Sequence, residues 1–405
     1  GTNRTITEQP FPTPSWAGPL HVNTVGLERI IGRGVTKMAL SMESVIGNER
    51  ENFIFAPVSV AAALSVTLLG AAGQTAAEIA SFLGLLAGID FTDRTHIVHK
   101  QLGRFFTKFE QNPGVELGLQ LAFANGIFIQ ESFPIEPKFD EIARNFYKCE
   151  VMPLDFLKNT EKSRLIVNEW VSNHTNNRIK EILPYNLSPA TKLIIANALY
   201  FNGPWEYPFF AKTRVGSFHV SKTEDIDMPF MVNGAEIPYY YTNNYSIFGM
   251  PYKGGQLVMY IVLPQQNLHK FVNNLTLDSI ENMLNHTTVQ TVLYSVPRMK
   301  IESTLNLRKP LEELGIRSLF NPTTADLTGI AEGLYVDNIY HKVEIEVTET
   351  GTVAAAGTAT GFIRGGIPMV KVNRPFLFFI HHNPTNTIIF WGSVYKPTPF
   401  FEKKI

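Results

Sequence analysis

A single cysteine, Cys149, stands in 405 residues, so no internal disulfide can form and the fold rests on packing alone. Long apolar runs are missing as well. Leu257 to Leu263 and Phe376 to Ile380 fall far short of the roughly 20 residues that a spanning helix needs, which removes helical membrane insertion. Nor does one sign of charge prevail: 35 Lys and Arg against 36 Asp and Glu leave a formal net charge of −1. Such a chain has no global field to gather nucleic acid or an anionic bilayer. The local signatures H-E-x-x-H, G-x-S-x-G and G-x-x-x-x-G-K-[ST] do not occur, so neither a metal-dependent hydrolase, a hydrolase elbow nor a phosphate-cradling loop is indicated. Gly32-x-Gly34 lacks a third glycine at dinucleotide spacing and sits in a helical pattern, so both glycines read as helix packing. His381 and His382, neighbours on an expected strand, point to opposite faces and cannot share one ion; one is expected buried, the other exposed. No metal, no cofactor and no enzymatic activity is expected.

What is present is ordinary globular material, 44% hydrophobic and 18% charged, enough to bury a large core. Residues 1–24 hold Pro10, Pro12, Pro14 and Pro19 and read as a flexible tail. From Leu27 the apolar positions Ile30, Ile31, Val35, Met38, Met42, Val45 and Ile46 recur at helical spacing, and the folded part begins there, at about residue 25. Thr75 and Glu78 have the spacing of a capping box for a helix running to Leu83 and ended by Gly84. Helices are also expected over 162–171, Thr276–Leu284 and Leu307–Leu314. Strands are expected over Tyr239–Tyr241, Gln256–Leu263, Lys342–Val347, Val370–Ile380 and Thr387–Val394, rich in β-branched and aromatic residues. The order suits an α+β protein with large antiparallel sheets. Sequons at Asn3, Asn173, Asn186, Asn244, Asn274 and Asn285, the Asn186 one weakened by Pro189, together favour a secreted, extracellular glycoprotein.

Several blocks follow one another in a familiar order. They are Asn52-Phe53-Ile54-Phe55-Ala56-Pro57-Val58-Ser59; Leu68-Leu69-Gly70 to Gly73-Gln74-Thr75; Ala124-Asn125-Gly126-Ile127-Phe128; Val167-Asn168-Glu169-Trp170; Asn197 to Trp205; His341-Lys342; Glu349-Thr350-Gly351-Thr352; and Asn373-Arg374-Pro375-Phe376. Over about residues 25–398 the chain resembles the serpins, the serine protease inhibitor family. The resemblance implies one α+β domain over 25–405, with a large, mostly antiparallel central sheet, smaller sheets, eight or nine helices and an exposed reactive-centre loop at about 349–371. It places Ser59, Asn197 and His341 in the shutter, a polar cluster beneath the strands that part during loop insertion. Ala56 departs there from the usual serine. Trp205, Arg298 and Glu349 match the breach, where the loop would begin to enter the sheet.

The implied mechanism is suicide inhibition: a trypsin-like serine protease acylates itself on the loop, and the freed loop joins the sheet as a new strand before the ester can be hydrolysed. The hinge comprises Glu349, Gly351, Thr352, Val353, Ala354, Ala355 and Ala356. From Thr352 to Ile363 there is no charge and no proline, as a future central strand requires. Alternation puts Thr352, Ala354, Ala356, Thr358 and Thr360 on the inward face. Arg364 is the only basic residue between Gly351 and Val370, which makes Arg364–Gly365 the expected scissile bond. Spacing counted back from Asn373 agrees with Arg364, whereas spacing counted from Gly351 points to Gly365, because the loop is one residue short of the common family length. The rival reading is a non-inhibitory serpin acting as carrier, chaperone or decoy. His96, Lys100, Arg104 and Lys108 recur every four residues on an expected helix where some serpins bind heparin, and read as a candidate glycosaminoglycan site for an activating polysaccharide. The remaining partner expected is the protease itself, held covalently by a monomer.

Overall fold

The computed structural model describes residues 24–48, 51–85, 95–109, 119–209, 211–349 and 366–401. The expected tail up to residue 23, with Asn3, lies outside the described residues. So do 350–365, which hold Gly351, Thr352, Val353, Ala354, Ala355, Ala356, Arg364 and Gly365. The helices among the described residues are α1 (Thr24–Ile46), α2 (Pro57–Gly70), α3 (Gly73–Phe82), α4 (Thr95–Thr107), α5 (Pro137–Tyr147), α6 (Thr160–His174), α7 (Leu268–Asn273), α8 (Leu277–His286) and α9 (Arg308–Glu313). The strands are β1 (Phe53–Phe55), β2 (Gln120–Gln130), β3 (Glu150–Leu154), β4 (Leu193–Asn202), β5 (Arg214–His219), β6 (Asp225–Tyr241), β7 (Tyr245–Pro251), β8 (Leu257–Pro264), β9 (Thr288–Pro297), β10 (Met299–Asn306), β11 (Asn338–Val347), β12 (Met369–Lys371), β13 (Phe376–His382), β14 (Thr387–Val394) and β15 (Thr398–Pro399).

They make an α+β fold with two sheets. One has six strands in the order β15-β10-β11-β4-β2-β3; the expected smaller sheets run together into a second, nine-stranded one, β1-β14-β13-β8-β7-β6-β9-β12 with β5 on β6. Strand periodicity gives the six-stranded sheet two faces. On β4 the residues Leu193, Ile195, Leu199 and Phe201 enter the main core, while Ile194, Ala196, Ala198 and Tyr200 join a separate cluster with Val167, Trp170 and Val171 of α6. Gly126 on β2 lets that helix approach: a Cβ there would stand 2.7 Å from the Trp170 ring.

Both N-terminal glycines serve packing, as expected. A Cβ on Gly34 would meet the Leu83 carbonyl at 2.7 Å and one on Gly32 would meet Thr387 at 3.0 Å. Gly84, at φ +78°, ends the helical turn where a side chain would be strained.

Other expectations are corrected. Thr75 and Glu78 form no capping box, because α3 starts earlier, at Gly73. Both side chains instead hold the segment after α9: the Thr75 hydroxyl meets Ser318 at 2.8 Å and accepts from the Asp326 N–H, and Glu78 accepts from the N–H groups of Arg317 and Ser318. A capping box does occur at Thr276 and Ser279. The single strand expected over Val370–Ile380 is two, β12 and β13, which pair in different places and are separated by a stretch that includes Pro375. Proline cannot donate to a ladder. His381 is buried, as one of the pair was expected to be, but His382 is only half-buried, since Phe109 covers its ring at 4.9 Å.

Candidate functional site

β4 and β11 run side by side in parallel, paired from Asn338↔Ile194 to Ile345↔Phe201 with no strand between them. A parallel pair needs a long crossover, and the chain between the two supplies most of the nine-stranded sheet. Both ends of this seam are tied by side chains. At the lower end the Asp337 carboxylate accepts from the N–H groups of Lys192 and Leu193 at 2.8 and 3.0 Å. At the upper end Asn202 Nδ2 donates to Glu346 across the strands at 3.2 Å.

Beneath the middle of the seam, facing α2, lies the polar cluster. His341 and Asn197 are opposite each other in the ladder and wholly buried. The Ala56 N–H donates to His341 Nε2 at 3.1 Å, so Nδ1 carries the ring proton and donates it to Asn197 Oδ1 at 2.7 Å. Asn197 Nδ2 in turn donates to the Ser59 carbonyl at 3.1 Å. Burial pushes the imidazole down to about 3, so the ring is neutral at any physiological pH. The structure thus brings Ser59, Asn197 and His341 together, with Ser59 contributing its main chain. Ala56 lacks a hydroxyl, yet its N–H, one of the orphan donors at the start of α2, gives the ring its bond.

Where the seam opens upward, Trp205 Nε1 donates to the Thr348 carbonyl at 2.8 Å, and its ring stacks on Tyr252 at 4.3 Å. Arg298 Nε donates to Glu349 at 2.7 Å while its guanidinium lies 4.7 Å over the Phe400 ring. Thr213 also hydrogen-bonds Glu349. Burial works to raise the Glu349 carboxyl, but the bonds from Thr213 and Arg298 outweigh it and hold the group below the usual carboxylate range. Trp205, Arg298 and Glu349 therefore clamp the stretch after β11, the last described residues before the loop. Thr213, Thr348 and Phe400 were missed by sequence reasoning; no motif marks a lone threonine or a carbonyl. Arg298→Ala is expected to lower stability by about 2 kcal/mol, since it strands a part-buried carboxylate. The deficit should shrink in acid, as Glu349 protonates in both proteins. Thermal midpoints at neutral and acidic pH check both statements.

A sequence model described as Serpin (serine protease inhibitor) matches residues 34–397. The chain is a serpin. Relatives of this serpin include leukocyte elastase inhibitor A of Mus musculus, 31% identical over 85% of this chain and 93% of that one. Antithrombin-III of Homo sapiens is 31% identical over 86% and 77%, and an uncharacterized serpin-like protein of Methanosarcina acetivorans 32% identical over 86% and 82%. Among solved structures, native protease nexin-1 with heparin superposes with a TM-score of 0.79 at 24% identity, over 93% of this serpin and all of that chain. Mouse protein-Z dependent protease inhibitor gives 0.81 at 23%, over 93% and 99%. Serpins are generally protease inhibitors, not catalysts.

The other candidate residues of this serpin scatter over the surface. Lys100 and Arg104 are exposed on α4, and Lys108, just past its end, is ion-paired with Glu28 of α1; the side chain of His96 lies outside what is described. Asn173, Asn186, Asn244, Asn274 and Asn285 are all exposed. Asn186 already accepts a bond from Arg164, and the Thr175 hydroxyl of the Asn173 sequon is buried against the Val171 carbonyl.

Proposed function

We propose that this serpin is a secreted suicide-substrate inhibitor of a trypsin-like serine protease in an extracellular cascade such as coagulation or innate immunity, cleaved at Arg364–Gly365. One observation carries the reading: the seam between β4 and β11 is closed and latched at both ends, and the chain leaves its upper end directly into an uncharged, proline-free segment. Thr352 to Arg364 is 13 residues, and β11 is 10 residues long. Antiparallel to β11, that segment is long enough to replace the whole seam with two new ladders, one against each strand, and each new backbone bond favours insertion. The carrier or decoy reading draws on the missing hydroxyl at Ala56 and on the short loop; the bond from the Ala56 N–H to His341 weighs against the first of these. Exposure of the five sequon asparagines supports extracellular placement. Lys100 and Arg104 are the cations through which a sulfated polysaccharide would accelerate the reaction.

Incubation with trypsin-like proteases tests the reading. A covalent band that survives denaturant is expected, and Arg364→Ala should abolish it, because an acidic specificity pocket then finds no basic residue between Gly351 and Val370. Cleavage after Arg364 without such a band would return the protein to the decoys.

A further inference from the structure

The last turn of α1 holds a polarity conflict that loop insertion does not use. Glu43 is 3% exposed, and neither of its carboxyl oxygens has a hydrogen-bond donor. Facing it, β14 brings Trp391 and Ser393, both 0% exposed, and the indole Nε1 and the hydroxyl Oγ are likewise unpartnered. The carboxyl folds back along its own helix, so that a Cβ on Gly47 would come within 2.4 Å of Oε2. Two donors and a carboxyl group thus meet in the core, near one another but not aligned to bond. Buried polar groups seldom stay unpaired, and three in one place call for an explanation.

Physical chemistry disfavours a charge at this position in three ways. Burial strips water from it. The C-terminal end of a helix is the negative end of its dipole. The last turn of α1 also carries no basic residue. The carboxyl is raised to about 7, burial being the main cause, while the Ser393 hydroxyl and the Trp391 N–H beside it work to lower it.

Among the described residues no charged neighbour intervenes. Three of the elements packed on α1, namely α2, β1 and β14, contain no titratable side chain. Elsewhere around α1 the titratable groups face other partners. On α4 these are His99 with Tyr147; on α7, His269 with Asn273; on α8, Glu281 with Arg33 and His286 with the Asn282 carbonyl; on α9, Arg308 with Glu312. Lys100, Arg104, Lys270, Asp278, Lys309 and Glu313 are exposed. At the loop before β14, His381 lies between Asn383 and Asn386, and His382 bonds Thr385.

We propose that Glu43 is a proton-operated joint between α1 and the nine-stranded sheet: protonated, it sits neutral and unbonded as observed, and on releasing its proton to solvent it draws the Trp391 N–H and Ser393 O–H onto itself and reseats the helix end. Because the folded protein holds this proton more tightly than the unfolded chain, the joint stabilises the fold in acid. That contribution is lost as pH rises from about 4.5 to about 7. Acidification therefore tightens this joint, and ionisation above about pH 7 loosens it.

The test compares the full chain with Glu43→Gln, which cannot ionise. Urea unfolding at pH 5 and pH 7 is expected to show the wild type losing stability relative to the variant, by about tenfold in the folded-to-unfolded ratio per pH unit. His341, whose ring resists protonation, acts in the opposite sense between about 3 and 6.5, but it does so in both proteins and cancels. Parallel pH profiles for the two would overturn the proposal. Should Glu43→Gln fail to fold, tryptophan emission of the wild type decides: it is expected to titrate with a midpoint near 7, and Trp391→Phe should remove that transition. A flat emission profile, or a transition that survives Trp391→Phe, would refute it equally.

Discussion

Under the proposed function, Thr352→Arg is expected to leave a plain substrate in place of an inhibitor: the Arg364–Gly365 bond would still be cut at an undiminished rate, while the covalent band falls about a hundredfold. The argument is a competition. On that reading insertion would race hydrolysis after acylation, and would have to carry Thr352 into the seam beside β11 on the face that strand alternation turns inward. A guanidinium there would be buried with no carboxylate to meet it, at a cost of about 3 kcal/mol or more, and each 1.36 kcal/mol on the barrier is about tenfold in rate. Residue 352 lies 12 positions before the scissile arginine, too far to disturb acylation itself. Cleavage kinetics and the yield of denaturant-resistant complex separate the two steps. Equal yield from the variant would mean that insertion does not begin at this residue. Val353→Arg is the control, because alternation in an inserted strand would turn position 353 outward, and it should retain most of the complex.

The second large effect is expected at His341. Its ring accepts from Ala56 and donates to Asn197, both buried under the seam. Truncation in His341→Ala orphans a donor and an acceptor at roughly 1–3 kcal/mol each and opens a cavity besides, for a total of about 4 kcal/mol. A lower thermal midpoint is the first readout. Spontaneous loss of the closed seam during storage is the second, since the variant weakens the polar cluster joining β4 and β11 to the start of α2. Acid should approach the same result in the wild type. From about pH 6.5 downward the unfolded chain takes up a proton that the buried ring refuses until about pH 3, so stability contributed by the neutral imidazole declines across that window. His341→Asn, able to restore one of the two bonds, should recover part of the loss. Full stability in His341→Ala would show that water closes the cluster unaided.

Of the blocks that carry the family resemblance, those holding Ala56, Ser59, Asn197, Trp205, His341 and Glu349 contribute to the β4–β11 seam, its polar cluster and its upper clamp, so the centre of the site was legible in the sequence. The reason is physical: buried polar residues at a moving joint must be of given types, and they leave a pattern. Where a side chain's partner is distant in sequence and chemically ordinary, no such pattern exists. Thr213 and Phe400 could not have been linked to Glu349 and Arg298, and Thr75 and Glu78, correctly spaced for a cap, are claimed by Ser318, Asp326 and Arg317 some 240 residues away. Val370–Ile380 misled for another reason. Its apolar run is continuous, but Pro375 divides it between two neighbourhoods. Glu43 did leave a signal, an acid on the same stripe as Met42 and Ile46, and only the burial of that stripe shows its meaning.

The division of apolar residues on β4 has a mechanical consequence. Because α6 rests on a cluster of its own, built over Ala124, Ala196 and Ala198, lifting it breaks a small contact and leaves the main core whole. Asn168 binds the chain at Ile182 and Leu183 to the helix, so helix and tail rise as one piece, like a flap with its own hinge. Lys342 on β11 reaches the Glu181 carbonyl at 2.9 Å and fastens that flap to the strand that would have to move on insertion. Any force that spreads β4 from β11 pulls on this fastening first. The helix would register the opening of the sheet before the far end of the seam had moved, and amide exchange along 160–183 would report how often it does so at rest.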